Sequence, residues 1–69
     1  MKREVQIGEN IKRIREKKGY SQEQLGRLAN CSQKTISRYE RGEVKMKIAI
    51  LESIARALEV DLEELGYED

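Results

Sequence analysis

Gln33, Lys34, Ser37, Arg38 and Arg41 bring two amide or hydroxyl groups and three cations into nine consecutive positions. Spacings of three and four place them on one face of a helix. A glutamine amide can bond N6 and N7 of adenine, and a guanidinium can bond O6 and N7 of guanine, so such a face fits a DNA major groove. No acid interrupts it before Glu40. An ordinary solvated helix could show the same residues, and spacing alone leaves both readings open.

Other chemistry has little to work with. There is no histidine, the commonest general base, and one cysteine, Cys31. Glu63 and Glu64 are adjacent rather than convergent, and no nucleophile has a base beside it. The chain therefore reads as a non-enzyme with no metal site and no cofactor. A lone cysteine also excludes a disulfide framework and points to a reduced, cytoplasmic setting.

At 69 residues the expectation is one domain, 1–69, with a small core: 38% of residues are hydrophobic and 39% charged. The longest uncharged apolar run is Ile48 to Leu51, far short of a membrane span, and no signal-peptide pattern opens the chain. Net charge is +1, but it is divided. Residues 1–47 hold 13 Lys/Arg and 6 Asp/Glu, whereas residues 48–69 hold only Arg56 against 7 acids. A polyanion would meet the first part and be repelled by the second.

The elements that must position these groups are helical, because apolar residues recur at three and four and no stretch alternates. A first helix is expected over about 5–18 on the stripe Ile7, Ile11 and Ile14. Gly8 inside it suggests a close contact with backbone or phosphate. Ser21 and Gln24 form a capping box for the second helix, with Leu25, Leu28 and Ala29 apolar and Asn30 a left-handed stop. Ser32 then caps a third helix, about 33–41, in which Ile36 and Tyr39 are buried. A fourth, about 48–58, carries Ile48, Leu51, Ile54, Ala55 and Leu58. Asp61 and Glu64 cap a last short helix with Leu62 and Leu65 apolar. The expected fold is all-α, a compact five-helix bundle with a helix-turn-helix at helices two and three.

The run from Ser21 to Gly42, Ser-Gln-Glu-Gln-Leu-Gly-Arg-Leu-Ala-Asn-Cys-Ser-Gln-Lys-Thr-Ile-Ser-Arg-Tyr-Glu-Arg-Gly, resembles the lambda repressor and Cro-type helix-turn-helix family, the xenobiotic-response-element type. Ile7-Gly8-x-x-Ile11-Lys-x-Ile14-Arg15 is similar to its first helix, and Leu51-x-x-Ile54-Ala55-x-Ala57-Leu58 to its fourth. The resemblance implies a double-stranded DNA operator as partner, bound by a homodimer with the third helix in the major groove. It places Gln33, Lys34, Ser37 and Arg38 at base edges and Gln22, Ser32, Arg41, Lys45 and Lys47 at phosphates. It leaves Ile36 and Ala29 in the core and makes Arg15 and Glu40 a partly buried ion pair.

Departures from the family pattern are local. Gly26 stands where alanine is usual and could permit closer packing of helix three. Asn30 replaces the usual turn glycine, Cys31 a valine and Met46 a proline. Ile50, Leu62, Leu65 and Tyr67 are the candidates for a dimer surface. The functional expectation is a Cro/CI-like repressor, with contact to RNA polymerase through the exposed ends of helices two and three as a route to activation. The alternative is an antitoxin-like or adaptor module that keeps the fold and binds protein; the basic third helix argues against it.

Overall fold

The computed structural model describes residues 2–68. Four α-helices form, α1 (Lys2–Lys17), α2 (Gln22–Ala29), α3 (Gln33–Arg41) and α4 (Ile48–Leu58), followed by a 3₁₀ turn (Leu62–Leu65). The first helix begins three residues earlier than its apolar stripe suggests. Arg3 anchors that extra turn by donating to the Glu68 carbonyl and lying 4.7 Å from the centre of the Tyr67 ring. Among the described residues there are thus four α-helices rather than five. Only four residues lie between Asp61 and the left-handed Gly66, too few to extend an i→i+4 ladder. The turn is still closed by its ends, since the Asp61 N–H donates to Glu64 Oε1 at 3.0 Å.

The ends of α2 and the start of α3 follow their local chemistry. Ser21 Oγ accepts from the Gln24 N–H at 3.0 Å while Gln24 Oε1 accepts from the Ser21 N–H at 2.8 Å. Asn30 turns the chain at φ 58°, the Cys31 N–H donates to Gly26 O at 2.8 Å, and Ser32 Oγ then caps α3 by accepting from Thr35 N–H at 3.0 Å. Glu59 adopts φ 61° at the end of α4 without being glycine or asparagine. Its exposed carboxylate lies 3.6 Å from Lys18 Nζ, a contact too weak to account for a left-handed backbone that costs roughly 1–2 kcal/mol.

Packing joins α1 to α3, α2 to α3 and α4, and the 3₁₀ turn to α1 and α4. Ile11, Leu25, Ile36, Leu51, Ile54, Leu58 and Leu65 are fully buried at the centre. Two residues expected in the core lie outside it: Leu28 is 56% exposed and Ile48 45%. Each sits one helical step from a neighbour that takes the inward position, Ala29 beside Leu28 and Leu51 one turn beyond Ile48. No helix among the described residues is long and apolar enough to cross a membrane.

Gly8 makes the α1–α3 contact possible. A Cβ there would lie 2.4 Å from the Tyr39 carbonyl oxygen and 2.5 Å from that of Glu40. The contact is therefore with backbone, at the last turn of α3. Gly26 makes a similar approach to the turn, with a Cβ position 2.8 Å from Cys31 O and 3.3 Å from Gln33 N.

Two substitutions at opposite ends of the steric scale test this packing. Gly8→Ala should lower unfolding free energy in urea by at least about 2 kcal/mol, because overpacking outweighs the helix propensity that alanine adds. Glu59→Gly should raise it by about 0.5–1 kcal/mol, by relieving the left-handed backbone.

Candidate nucleic-acid interface

Helix α3 is held from one side. Ile36 and Tyr39 enter the core, and Glu40 beside them is 7% exposed. Gln33, Lys34, Arg38 and Arg41 lie on the exposed side, with Ser37 half-buried among them. The structure therefore brings the four expected base-reading residues onto one face. Arg41 is more constrained than an isolated surface arginine: its Nη1 donates to Ser37 Oγ at 2.6 Å and its Nε to Glu43 Oε1 at 3.1 Å.

Beside this face Thr35, Arg38, Tyr39, Val44, Lys45, Lys47 and Ile50 line a shallow groove. Three cations from α3 and the following loop thus surround one hollow. The loop is fixed at its far end, because the Lys47 backbone N–H donates to the Tyr39 hydroxyl at 3.0 Å. That bond was invisible to helical spacing, since it joins a core tyrosine to the start of another helix. The groove is suited to a chain of phosphates, which needs positive charge along a track rather than a deep pocket.

Ser32 and Gln22 are placed differently. The Ser32 hydroxyl serves as the α3 cap and shares a second bond with Thr35 Oγ1 at 3.0 Å. The Gln22 amide turns inward and donates from Nε2 to Glu40 Oε1 at 2.9 Å. Gln22 and Glu40 are 18 residues apart, so no local motif signals the bond.

Beneath the face, Arg15 Nε donates to Glu40 Oε2 at 2.6 Å and Arg15 Nη2 to Glu40 Oε1 at 3.2 Å. Arg15 is only 8% exposed. Its hydrogen bond to Glu40 holds the guanidinium pKa above its ordinary value, against the desolvation that lowers it. A third donor, Nη1, reaches the Tyr20 carbonyl at 2.6 Å. Cys31 is half-buried at the turn, donates to Ala29 O at 3.4 Å, and has its thiol pKa pushed up by burial. It packs as a small side chain and is not activated as a thiolate.

The expected dimer residues do not form one exposed patch. Leu65 is fully buried and closes the core, with its carbonyl accepting from Asn10 Nδ2 at 3.0 Å, so it is no surface residue. Ile50, Leu62 and Tyr67 are half-buried against the core. Among the described residues, the large apolar side chains that remain exposed are Val5, Leu28 and Ile48.

Two helices joined through Asn30, Cys31 and Ser32, with the second displayed and the first laid across it, define a helix-turn-helix domain. The chain belongs to the HTH_3 helix-turn-helix family, whose model matches residues 11–65. The restriction-modification controller protein C.AhdI of Aeromonas hydrophila is 30% identical and superposes with a TM-score of 0.85, over 88% of this chain and 92% of that one. The N-terminal DNA-binding domain of SinR from Bacillus subtilis is 32% identical with a TM-score of 0.84, over 94% and 96%. A protein of Pyrococcus furiosus named as an HTH-type transcriptional regulatory protein is 44% identical over 43 residues, 62% of this chain. That match takes in 14% of the Pyrococcus protein, so the chain spans a small part of its length.

The ion pair under α3 has a stability consequence. Arg15→Ala should cost about 3–5 kcal/mol in urea unfolding, because it leaves the Glu40 carboxylate buried without its cation. The double variant Arg15→Met with Glu40→Leu should recover much of that loss, since no charge is then left unpaired.

Proposed function

We propose that this chain is a sequence-specific double-stranded-DNA-binding transcription regulator of Cro/CI type, acting as a repressor that occupies an operator. The observation that carries the reading is the two-sided nature of α3. Its inner side is fixed by Ile36, Tyr39 and Glu40, while Gln33, Lys34, Ser37 and Arg38 face outward in a single row. A face that reads bases needs this combination, because paired hydrogen bonds to a base edge tolerate little movement of the helix that bears them.

In this reading Gln33 and Arg38 discriminate adenine and guanine, and Lys34 and Ser37 contact the adjoining base edges. Lys45, Lys47 and Arg41 neutralise phosphates on either side, with the Ser32 backbone N–H at the start of α3 as a further donor. The groove shared by Arg38, Lys45 and Lys47 supports placing a phosphate track beside the base-reading row. Gln22 is left out of the phosphate set because its amide is turned onto Glu40, where Nε2 donates to Oε1 at 2.9 Å.

The regulator binds as a homodimer whose α3 helices enter successive major grooves, roughly 10–10.5 base pairs apart. Ile48 and Ile50 at the start of α4 supply apolar surface for this pairing, and Tyr67 lies in a hollow it shares with Met46 and Leu51 at the edge of the core. Similarity to the SinR DNA-binding domain and to the controller protein C.AhdI, both over most of their length, supports the assignment.

Selection of binding sites from random duplexes by the purified protein should return two related half-sites at that spacing. Recovery of a single unpaired site would overturn the dimer, and recovery of no common site would overturn sequence reading altogether. On the selected duplex, Arg38→Ala should cost about 1–3 kcal/mol and relax preference at one base position. Lys45→Ala should weaken selected and random duplexes alike and reduce the salt slope by about one.

A further inference from the structure

We infer that Gln22 is a positioning residue: acting through Glu40, it fixes how α3 presents Gln33, Lys34 and Arg38. This inference rests on the DNA-reading function proposed above. The Glu40 carboxylate is the meeting point of three helices. Its Oε2 accepts from Arg15 Nε of α1 at 2.6 Å, and its Oε1 accepts from Arg15 Nη2 at 3.2 Å and from Gln22 Nε2 of α2 at 2.9 Å. Arg15 also holds the loop before α2, through the Tyr20 carbonyl at 2.6 Å. No buried side-chain polar atom among the described residues is left without a partner.

The ends of α2 and α3 explain why this bond has leverage. One tie between the helices is the turn itself, where Cys31 N–H donates to Gly26 O and Ser32 begins α3. The Gln22–Glu40 bond lies at the opposite end of both, joining the first residue of α2 to the last turn of α3. A turn alone acts as a pivot, whereas two ties at two ends set a crossing angle. With a rise of 1.5 Å per residue, Gln22 lies about 10 Å along α2 from the turn, and a slip of about 1 Å there would rotate one helix on the other by about 6°. Two parallel hydrogen bonds to one base edge do not survive such a change together. An amide suits the role because it adds a donor to Glu40 without adding charge to the pair with Arg15.

A positioning contact and a phosphate contact predict different losses. A phosphate contact contributes to every duplex, but a contact that aims α3 contributes only where bases are read. Gln22→Leu in the full chain should weaken binding to the wild-type-selected duplex about tenfold while changing binding to a random duplex less than twofold. In ¹⁵N spectra of the free protein, amides of Gln33, Lys34 and Arg38 should shift although they lie far from the substitution in the chain. Gln22→Glu supplies the chemical control. At pH 8 the introduced carboxylate faces Glu40, with Arg15 and its neighbour Glu16 the other charges at hand, and discrimination should fall as in Gln22→Leu. Near pH 5 the introduced carboxyl, its pKa raised by Glu40, takes up a proton and can donate to it, so discrimination should return toward the wild-type value at the same pH.

Equal losses on both duplexes would overturn the inference in favour of a direct phosphate contact. Unchanged discrimination, with spectral shifts confined to the first turn of α2, would reduce Gln22 to a structural residue. If the wild-type protein itself showed no preference between duplexes, the DNA-reading function would fail. The spectra would still decide separately whether Gln22 holds α3.

Discussion

A carboxylate buried among apolar side chains must be paired, and Glu40 accepts three hydrogen bonds from two other helices. This constraint organises the domain. Arg15 reaches Glu40 from α1 and Gln22 from α2, so the packing of both helices on α3 must place these donors within about 3 Å of one carboxyl group. Hydrophobic contact alone is tolerant of small rotations. A bidentate guanidinium–carboxylate pair is not, because its two bonds run parallel at fixed spacing. The ion pair therefore adds angular definition to a core that is small, and it does so directly beneath the helix whose outer face matters.

The same helix has to be anchored and displayed, and the sequence divides the two tasks by spacing. Ile36, Tyr39 and Glu40 take the inner positions, and the polar residues between them take the outer ones. Tyr39 does more than fill space, since its hydroxyl receives the backbone N–H of Lys47 and so fixes the loop that carries Lys45. Gly8 lets α1 come close enough to touch the backbone of Tyr39 and Glu40 directly. Core, ion pair and basic loop are thus linked through two adjacent residues of α3. A change at any of these places would be felt at the exposed face.

Much of this was legible in the sequence because it is local. Ser21 with Gln24, Asn30 followed by Ser32, and Gly42 each declare a helix end within four residues, and α2 and α3 begin and end where those signals put them. What was not legible depends on tertiary context. Leu28 and Ile48 fit a helical stripe about as well as their buried neighbours do, and only the arrangement of the other helices decides which edge of the stripe is covered. Leu65 reads as a surface candidate near the chain end, yet it is the residue that closes the core against α1 and α4. The left-handed Glu59 has no sequence signal at all. Within the candidate interface, the outward row on α3 followed from periodicity. The inward turn of Gln22 did not, because its partner lies on another helix.

Net charge is the property most easily misread. The protein measures 26 × 21 × 20 Å, and at physiological salt the Debye length is about 8 Å. The excess acids, Glu59, Asp61, Glu63 and Glu64, gather at the end of α4 and around the 3₁₀ turn, elements that pack chiefly on α1, on α2 and on each other rather than on α3. Charges separated by more than one or two Debye lengths are largely invisible to a polyanion at the α3 face, which meets Lys34, Arg38, Arg41, Lys45 and Lys47 together with Glu43, the acid paired to Arg41. Their effect returns as salt is diluted, for at about 0.01 M the screening length exceeds the whole domain. Attraction to a polyanion should therefore strengthen less on dilution than five local cations would suggest. A nearly neutral total is compatible with a strongly basic working surface because the solvent, and not the sum, decides which charges a partner meets.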